Sequence, residues 1–412
     1  MKLVLLSANY PYGQWGDNCF IINEISSLAE TFDEVVVIST GSGKLRDDIP
    51  KGVRVINCPI NAKRPIKMLR AGFMSLDRKA RKADKELKKL YPDIGFFTRF
   101  KQIFKHNYAY QCMKEVLERE CADADVVYSY WLSSRAYAYA RLKRSKGYNN
   151  TFISRAHGFD CYLARNAYLP YRSFTCGQLD EIVFISQDGR GAFERETYPI
   201  LDKNITMRVQ YLGVNKESEE PDYQPSDTLD IVTCSSITAV KRLDIIIGAL
   251  SLIDDIKINW VHFGDGDMAE EIKSLACARL DGKSNIKYQF KGNVANSEIL
   301  EYYRNNKVDL IVNCSDSEGI PVSIMEAFSF GIPAITRDVG GIREINCGES
   351  DGYLLGQDAG AQDFADAIVA YANKGEQQKL QKRGEVRDIF EAKFSIKAIS
   401  DYCESIKALC DK

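Results

Sequence analysis

The sequence predicts an α/β protein of two parallel-sheet domains. A chain of 412 residues is too long for one ordinary core and fits two domains of about 150–200 residues each. Short β-branched apolar runs alternate with stretches of helical spacing, the pattern of a buried parallel sheet with crossover helices. That rhythm halts at a polar segment with two prolines, residues 216–227, and then restarts. Two Rossmann-like domains joined by a linker are therefore expected.

The first series runs LVLLSA, VVVIST, VRVINC, DVVYSYW, TFISRAHG, EIVFISQ and RVQYLGV. Each run is short enough for a strand and is bounded by turn-forming or helical sequence. Between residues 62 and 120 the strand signal disappears and several helices are expected. The second series is LDIVTCSS, INWVHFGDG, IKYQFKG, DLIVNCS and PAITRD. The chain ends in amphipathic helical sequence. These signals place the first domain at 1–218 and the second at 219–392, with a terminal helix, 393–412, returning to the first.

A net charge of −2 gives the chain no overall bias toward nucleic acid or membrane. The charge is uneven, however. Residues 63–105 hold 14 Lys/Arg against 4 Asp/Glu. Helical, basic and aromatic together, this segment is read as docking on anionic lipid headgroups, with a solvated helix face as the plain alternative. The twelve cysteines form no CxxC pair and no zinc spacing, and several sit singly in apolar runs. A reducing cytoplasm is the expected compartment. LVLLSA is too short for a signal peptide or a membrane span, so any membrane contact would be peripheral.

The most informative segment follows DLIVNCS and contains Glu318, Gly319, Ile320, Pro321, Val322 and Glu326. Pro321 suits the first turn of a helix and Gly331 the position just past its end. A helix that begins at the carboxyl end of a parallel strand points its free N–H groups and positive dipole at a ligand, which favours a pyrophosphate. Glu318 and Glu326 are acceptor-only carboxylates about two turns apart, suited to a polyhydroxylated ligand.

Here the chain resembles glycosyltransferase family 4, a retaining family of GT-B fold. Glu318 and Glu326, with seven residues between them, match its E-x7-E motif. His157-Gly158-Phe159-Asp160 is similar to its HG.D segment. The stretches Tyr211–Asn215, Phe263–Gly266, Phe290–Val294 and Val339–Glu344 resemble further family segments, so the likeness covers nearly the whole chain. The resemblance implies two Rossmann-like domains facing a central cleft. The expected reaction moves a hexosyl or N-acetylhexosaminyl group from a nucleoside diphosphate sugar, with UDP expected, to a hydroxyl of a glycan or lipid-linked acceptor, as in polysaccharide or glycolipid biosynthesis.

The same resemblance distributes roles. Glu318 binds sugar hydroxyls, Glu326 the ribose and Lys241 the diphosphate. Ser236, Gly292, Val294, Gly319, Ile320 and Val322 line the donor. The family's arginine before Lys241 is missing: Ser235 and Ser236 stand there. Arg242 either replaces it or is a surface residue. Gly16, in the loop PYGQWGDN, is expected to approach the donor phosphate, where glycine lets a backbone N–H come close. His157 contacts the transferred sugar without acting as a base. Asp160 either fixes the His157 turn or meets the acceptor, and Tyr130 and Trp131 are core packing or an acceptor platform.

No cofactor is expected. The DxD sequences at 123–125 and 265–267 lack the strand-end setting of a metal site, so metal independence is the reading. The first strand lacks a GxGxxG turn and residues 41–44 lack the full phosphate-loop spacing, which argues against a dehydrogenase or a P-loop NTPase. Two alternatives stay open: a non-catalytic nucleotide-sugar-binding subunit, and a GT-B UDP-sugar epimerase.

Overall fold

The computed structural model describes residues 1–13, 17–164, 168–201, 204–215, 226–348 and 353–410. The chain divides into two compact units, Met1–Leu212 with Lys397–Lys412, and Gly213–Ile396. The crossing points thus fall after Leu212 and Ile396, against the expected 218 and 392. Most of the expected linker, residues 216–225, lies outside the described residues.

In the first unit the order is β1 (Lys2–Ser7), α1 (Asn18–Thr31), β2 (Glu34–Ser39), β3 (Val53–Asn57), α2 (Pro65–Met74), α3 (Arg78–Leu90), α4 (Phe96–Glu120), β4 (Val126–Ser129), α5 (Ser134–Lys146), β5 (Thr151–Ala156), α6 (Gly158–Cys161), α7 (Arg172–Cys176), β6 (Glu181–Phe184), α8 (Gln187–Glu196) and β7 (Thr206–Val209). The seven strands are all parallel, in the order β3-β2-β1-β4-β5-β6-β7. Central strands are buried on both faces, which is why they read as unbroken apolar runs; edge strand β3 is partly exposed. Val4, Leu6, Val36, Ile38, Phe152 and Phe184 belong to the core of this unit.

The second unit continues with β8 (Thr228–Cys234), α9 (Leu243–Ser251), β9 (Lys257–Phe263), α10 (Ala269–Leu280), β10 (Ile286–Phe290), α11 (Asn296–Asn305), β11 (Leu310–Asn313), α12 (Val322–Ser329), β12 (Ala334–Arg337), α13 (Ile342–Ile345), β13 (Leu354–Leu355), α14 (Ala361–Ala372) and α15 (Glu376–Lys393). Its parallel sheet has the order β10-β9-β8-β11-β12-β13. Trp260, Ile231, Val312 and Phe364 anchor its core. In both sheets the strand order reverses beside the first strand of the unit, between β1 and β4 and between β8 and β11. Open α/β sheets bind ligands in the crevice at such a reversal.

The last helix, α16 (Ile396–Lys407), packs on the first unit. Lys407 donates to the Thr31 carbonyl at 3.1 Å, and Ser400 Oγ lies 3.2 Å from Ser27 Oγ. Tyr402 presents its ring to the Arg155 guanidinium at 5.2 Å. Arg155 is itself buried against Glu24 at 3.1 Å and donates to the Tyr128 hydroxyl at 2.6 Å. This ion pair ties α1, β4, β5 and α16 together directly beneath the His157 turn.

Candidate functional site

In the second unit, the loops after β8 and β11 meet at the strand-order reversal. Lys241 follows β8 in a short 3-10 turn, and its Nζ donates to Glu318 Oε1 at 2.6 Å. Ser315 Oγ donates to the same oxygen at 2.7 Å and Asn313 Nδ2 at 3.1 Å. Glu318 is buried, and this set of donors is what makes a carboxylate tolerable there.

Helix α12 starts immediately afterwards. Pro321 is its N-cap, with no side-chain capping bond, and Val322 is its first residue. Its leading N–H groups are thus not taken up by a capping side chain, which suits an anion. Gly331 lies just past the end at φ +67°, the left-handed C-terminal position that favours glycine. Ile320 is buried and Gly319 half-buried beneath the loop.

Glu326 projects from α12 and is also buried. It accepts a hydrogen bond from Asn296 Nδ2 at 2.8 Å. Burial pushes its carboxyl up to about 7, with the Asn296 bond pulling the other way. Asn296 opens α11, so the stretch carrying Gly292 and Val294 is tied to Glu326. Gly292 is at φ +67° and accepts a bond from the Gly264 N–H at 2.9 Å. Nothing in the spacing of the sequence marks Asn296, because its partner is thirty residues away.

Two glycine loops support this site from behind. A Cβ on Gly340, at φ +56°, would overlap the Glu318 carbonyl oxygen, and one on Gly341 would come within 2.8 Å of the Gly319 oxygen. Likewise Gly264 and Gly266 press against the Ser235 and Ile237 carbonyls. The backbone positions of Ser236 and Glu318 are therefore set by close approach, which only glycine permits. Ser236 itself is exposed.

Arg242 does not offer a free cation here. It sits at φ +49° and grips Asp244 through Nε and NH2, at 3.0 and 2.9 Å, while NH1 reaches Asp316 at 3.2 Å. Arg242 is thus paired with two carboxylates, as Lys241 is paired with Glu318.

In the first unit, His157 caps the short helix α6. Asp160 accepts the His157 backbone N–H at 3.1 Å, so it fixes the turn. Burial raises the Asp160 carboxyl to about 6. The His157 ring stacks on Trp131 at 4.2 Å and lies near Phe20 and Tyr130 at 5.5 and 5.4 Å. Burial, with the Arg155 charge adding to it, lowers its imidazole to about 3. Its Nε2 is buried without a partner among the described residues.

Trp131 is half-buried, but Tyr130 is fully buried with its hydroxyl 3.2 Å from Glu24 Oε2. The platform reading of Tyr130 is corrected to core packing. Asp17, not singled out by the sequence, accepts the N–H groups of Ala8, Asn9 and Tyr10 and so shapes the loop after β1. Gly16 lies outside the described residues. Among the described residues no group of three His, Cys, Asp or Glu is arranged to hold a metal ion. Asp123 and Asp125 instead bind the Lys2 side chain and backbone N–H.

Residues 215–387 fit the family model described as glycosyl transferases group 1. The match spans 173 of the 412 residues, less than half of the chain. The uncharacterized glycosyltransferase MJ1178 of Methanocaldococcus jannaschii is 27% identical over 294 residues, covering 70% of this chain and 75% of that protein. The GtfA subunit of a UDP-N-acetylglucosamine–peptide N-acetylglucosaminyltransferase of Streptococcus gordonii is 22% identical over 311 residues, 71% of this chain and 57% of that one. Among solved structures, a glycosyltransferase from Rickettsia africae superimposes with a TM-score of 0.68 at 16% identity, over 100% of this chain and 99% of that one. Anabaena HepE, in complex with UDP and glucose, gives 0.65 at 16% identity over 99% of both chains. At such identity the structures establish the fold alone, GT-B.

Proposed function

We propose that this glycosyltransferase moves a hexosyl or N-acetylhexosaminyl group from a UDP-sugar to a hydroxyl of a glycan or lipid-linked acceptor, with retention of anomeric configuration. The observation that carries the reading is the Lys241–Glu318 pair at 2.6 Å, set beside the uncapped start of α12 at the strand-order reversal. One cation, one helix N-terminus and one carboxylate converge where a diphosphate joined to a sugar presents one anion and several hydroxyls.

The incoming diphosphate takes Lys241 from Glu318, which then accepts sugar hydroxyls. Glu326 accepts the ribose hydroxyls, and Gly292 and Val294 border the base. Lys241 and the α12 dipole stabilise the departing diphosphate without a divalent ion. The acceptor oxygen bonds to the anomeric carbon as the carbon–phosphate-oxygen bond breaks, and the acceptor proton passes to the leaving phosphate on the same face. His157, held neutral by burial, offers Nε2 to a sugar hydroxyl and serves as neither base nor nucleophile.

The choice of UDP is supported by two similar proteins, one named for UDP-N-acetylglucosamine and one solved with UDP-glucose. Isothermal titration with UDP, GDP, ADP and dTDP in the presence of EDTA tests it. UDP should bind at least about tenfold more tightly than the others, a preference of roughly 1.4 kcal/mol. Equal binding of all four would remove the base assignment, and a strict requirement for a divalent ion would remove the role given to Lys241.

A further inference from the structure

Helix α3 opens against its own dipole. Arg78, Lys79 and Arg81 stand in its first turn and no acidic residue joins them there, although the positive end of a helix disfavours cations. The N-cap carboxylate, Asp77, is already shared: it accepts from the Ala80 N–H at 2.8 Å and from Arg141 at 3.2 Å. Local rules are broken in this way at functional sites.

A cavity of about 360 Å³ opens beside this helix end, a size that suits a small molecule. Lys79, Lys82 and Glu86 of α3 line it together with Arg144 of α5, Tyr171 and Phe174. Among the described residues neither Lys79 nor Arg144 makes an ion pair. Lys79 Nζ instead lies 5.2 Å from the centre of the Phe174 ring. Burial lowers its ammonium below the usual lysine range, with the Arg141 and Arg144 charges pushing the same way and Asp77 opposing. Glu86, the carboxylate of the lining, accepts the Ser173 N–H at 3.4 Å.

The wall of the cavity is fixed. Tyr171 sits at φ +64°, a left-handed conformation that a bulky residue rarely adopts. Its ring stacks on Tyr137 at 4.2 Å and its hydroxyl accepts from Asn107 Nδ2 at 3.0 Å. Strain held in place like this clusters at ligand sites. Arg144 stands in the last turn of α5, the crossover helix that runs back from the carboxyl end of β4. The cavity therefore lies toward the amino ends of the strands, away from the His157 turn.

We propose that this cavity is a second anion site, for a soluble phosphate monoester. Three lining cations against one carboxylate leave two positive charges, which match the dianion of a monoester. The phosphate draws Lys79 from the Phe174 ring and meets it together with Lys82 and Arg144. The ring face so released receives the organic part of the ligand. A lipid phosphodiester brings a single charge and a second bulky substituent, a poorer match to this cavity. None of these residues has a role in the donor site, so the proposal goes beyond the UDP-sugar reading and is tested apart from it.

Titration calorimetry of the full chain with phenyl phosphate and with inorganic phosphate tests it. Phenyl phosphate should bind the wild type and Lys241→Ala alike, and more tightly than inorganic phosphate does. Lys79→Gln with Arg144→Gln, both exposed positions, should weaken it at least about tenfold while UDP affinity and the melting temperature stay unchanged. Arg144→Gln alone serves if the double variant unfolds. No binding of phenyl phosphate, or binding indifferent to these substitutions, would overturn the proposal. Loss of binding in Lys241→Ala would contradict it by placing the anion at the donor site. Capture by phosphatidylglycerol vesicles with no response to phenyl phosphate would contradict it too, assigning the cations to a lipid surface.

Discussion

Lys241 Nζ lies 2.6 Å from Glu318 Oε1, joining the loop after β8 to the loop after β11 across the reversal in strand order. The pair, with the shared donor proposed above, predicts that the two residues act as a unit. Lys241→Ala and Glu318→Ala should each lower donor turnover roughly 100-fold or more. The double variant should be little worse than either single one. Steady-state release of nucleoside diphosphate reads this directly, and fully multiplicative losses would show that the two residues act separately.

The ribose role proposed for Glu326 predicts that donor binding depends on pH. Burial raises its carboxyl from 4.5 to about 7, so the folded chain keeps a proton in that window that the unfolded chain has released. This group therefore contributes stability that is present below pH 4.5 and lost as pH rises to about 7. Ionised Glu326 is the better acceptor for ribose hydroxyls, so nucleotide affinity should rise between pH 6 and pH 8, with proton release on binding. Titration calorimetry in buffers of different ionisation enthalpy measures both. Glu326→Gln should flatten the affinity profile and abolish the proton release.

Gly340 is required for its backbone. Its φ is +56° and an added Cβ would overlap the Glu318 carbonyl oxygen. Gly340→Ala should cost more than about 1 kcal/mol and should displace Glu318, lowering donor turnover together with the melting temperature. A variant with wild-type melting temperature and turnover would show that the loop is free to move.

All three histidines of the chain should stay neutral near pH 6. Burial is the main cause at each: His106 and His262 are lowered to about 4 and His157 to about 3. Imidazole nitrogen shifts should therefore show no titration near pH 6.5 in the folded protein. As pH falls below 6.5 the unfolded chain gains protons that the folded chain refuses, so these groups erode stability toward acid. An imidazole titrating near 6.5 while the fold persists would contradict the burial.

Much of this structure was legible in the sequence because a parallel sheet writes itself as unbroken β-branched runs. The twelve longer strands each overlap one of the expected runs, β7 (Thr206–Val209) only in its second half, whereas β13, with only Leu354 and Leu355, is too short to leave a pattern. Pro321 and Gly331 marked the ends of α12 because each is tied to one backbone geometry. Asn296 was not legible, since it meets Glu326 only through the fold. Arg242 and Tyr130 were left between two readings, because adjacency in sequence does not say which way a side chain turns.

The most direct test is a donor-hydrolysis screen on the purified chain, offering UDP-, GDP-, ADP- and dTDP-sugars with EDTA present and following nucleoside diphosphate release in wild type, Lys241→Ala and Glu318→Ala. Slow release of UDP from one UDP-sugar, lost in both variants, is the expected result. Release that depends on a divalent ion, or that survives both substitutions, would contradict the placement of the donor at Lys241 and Glu318.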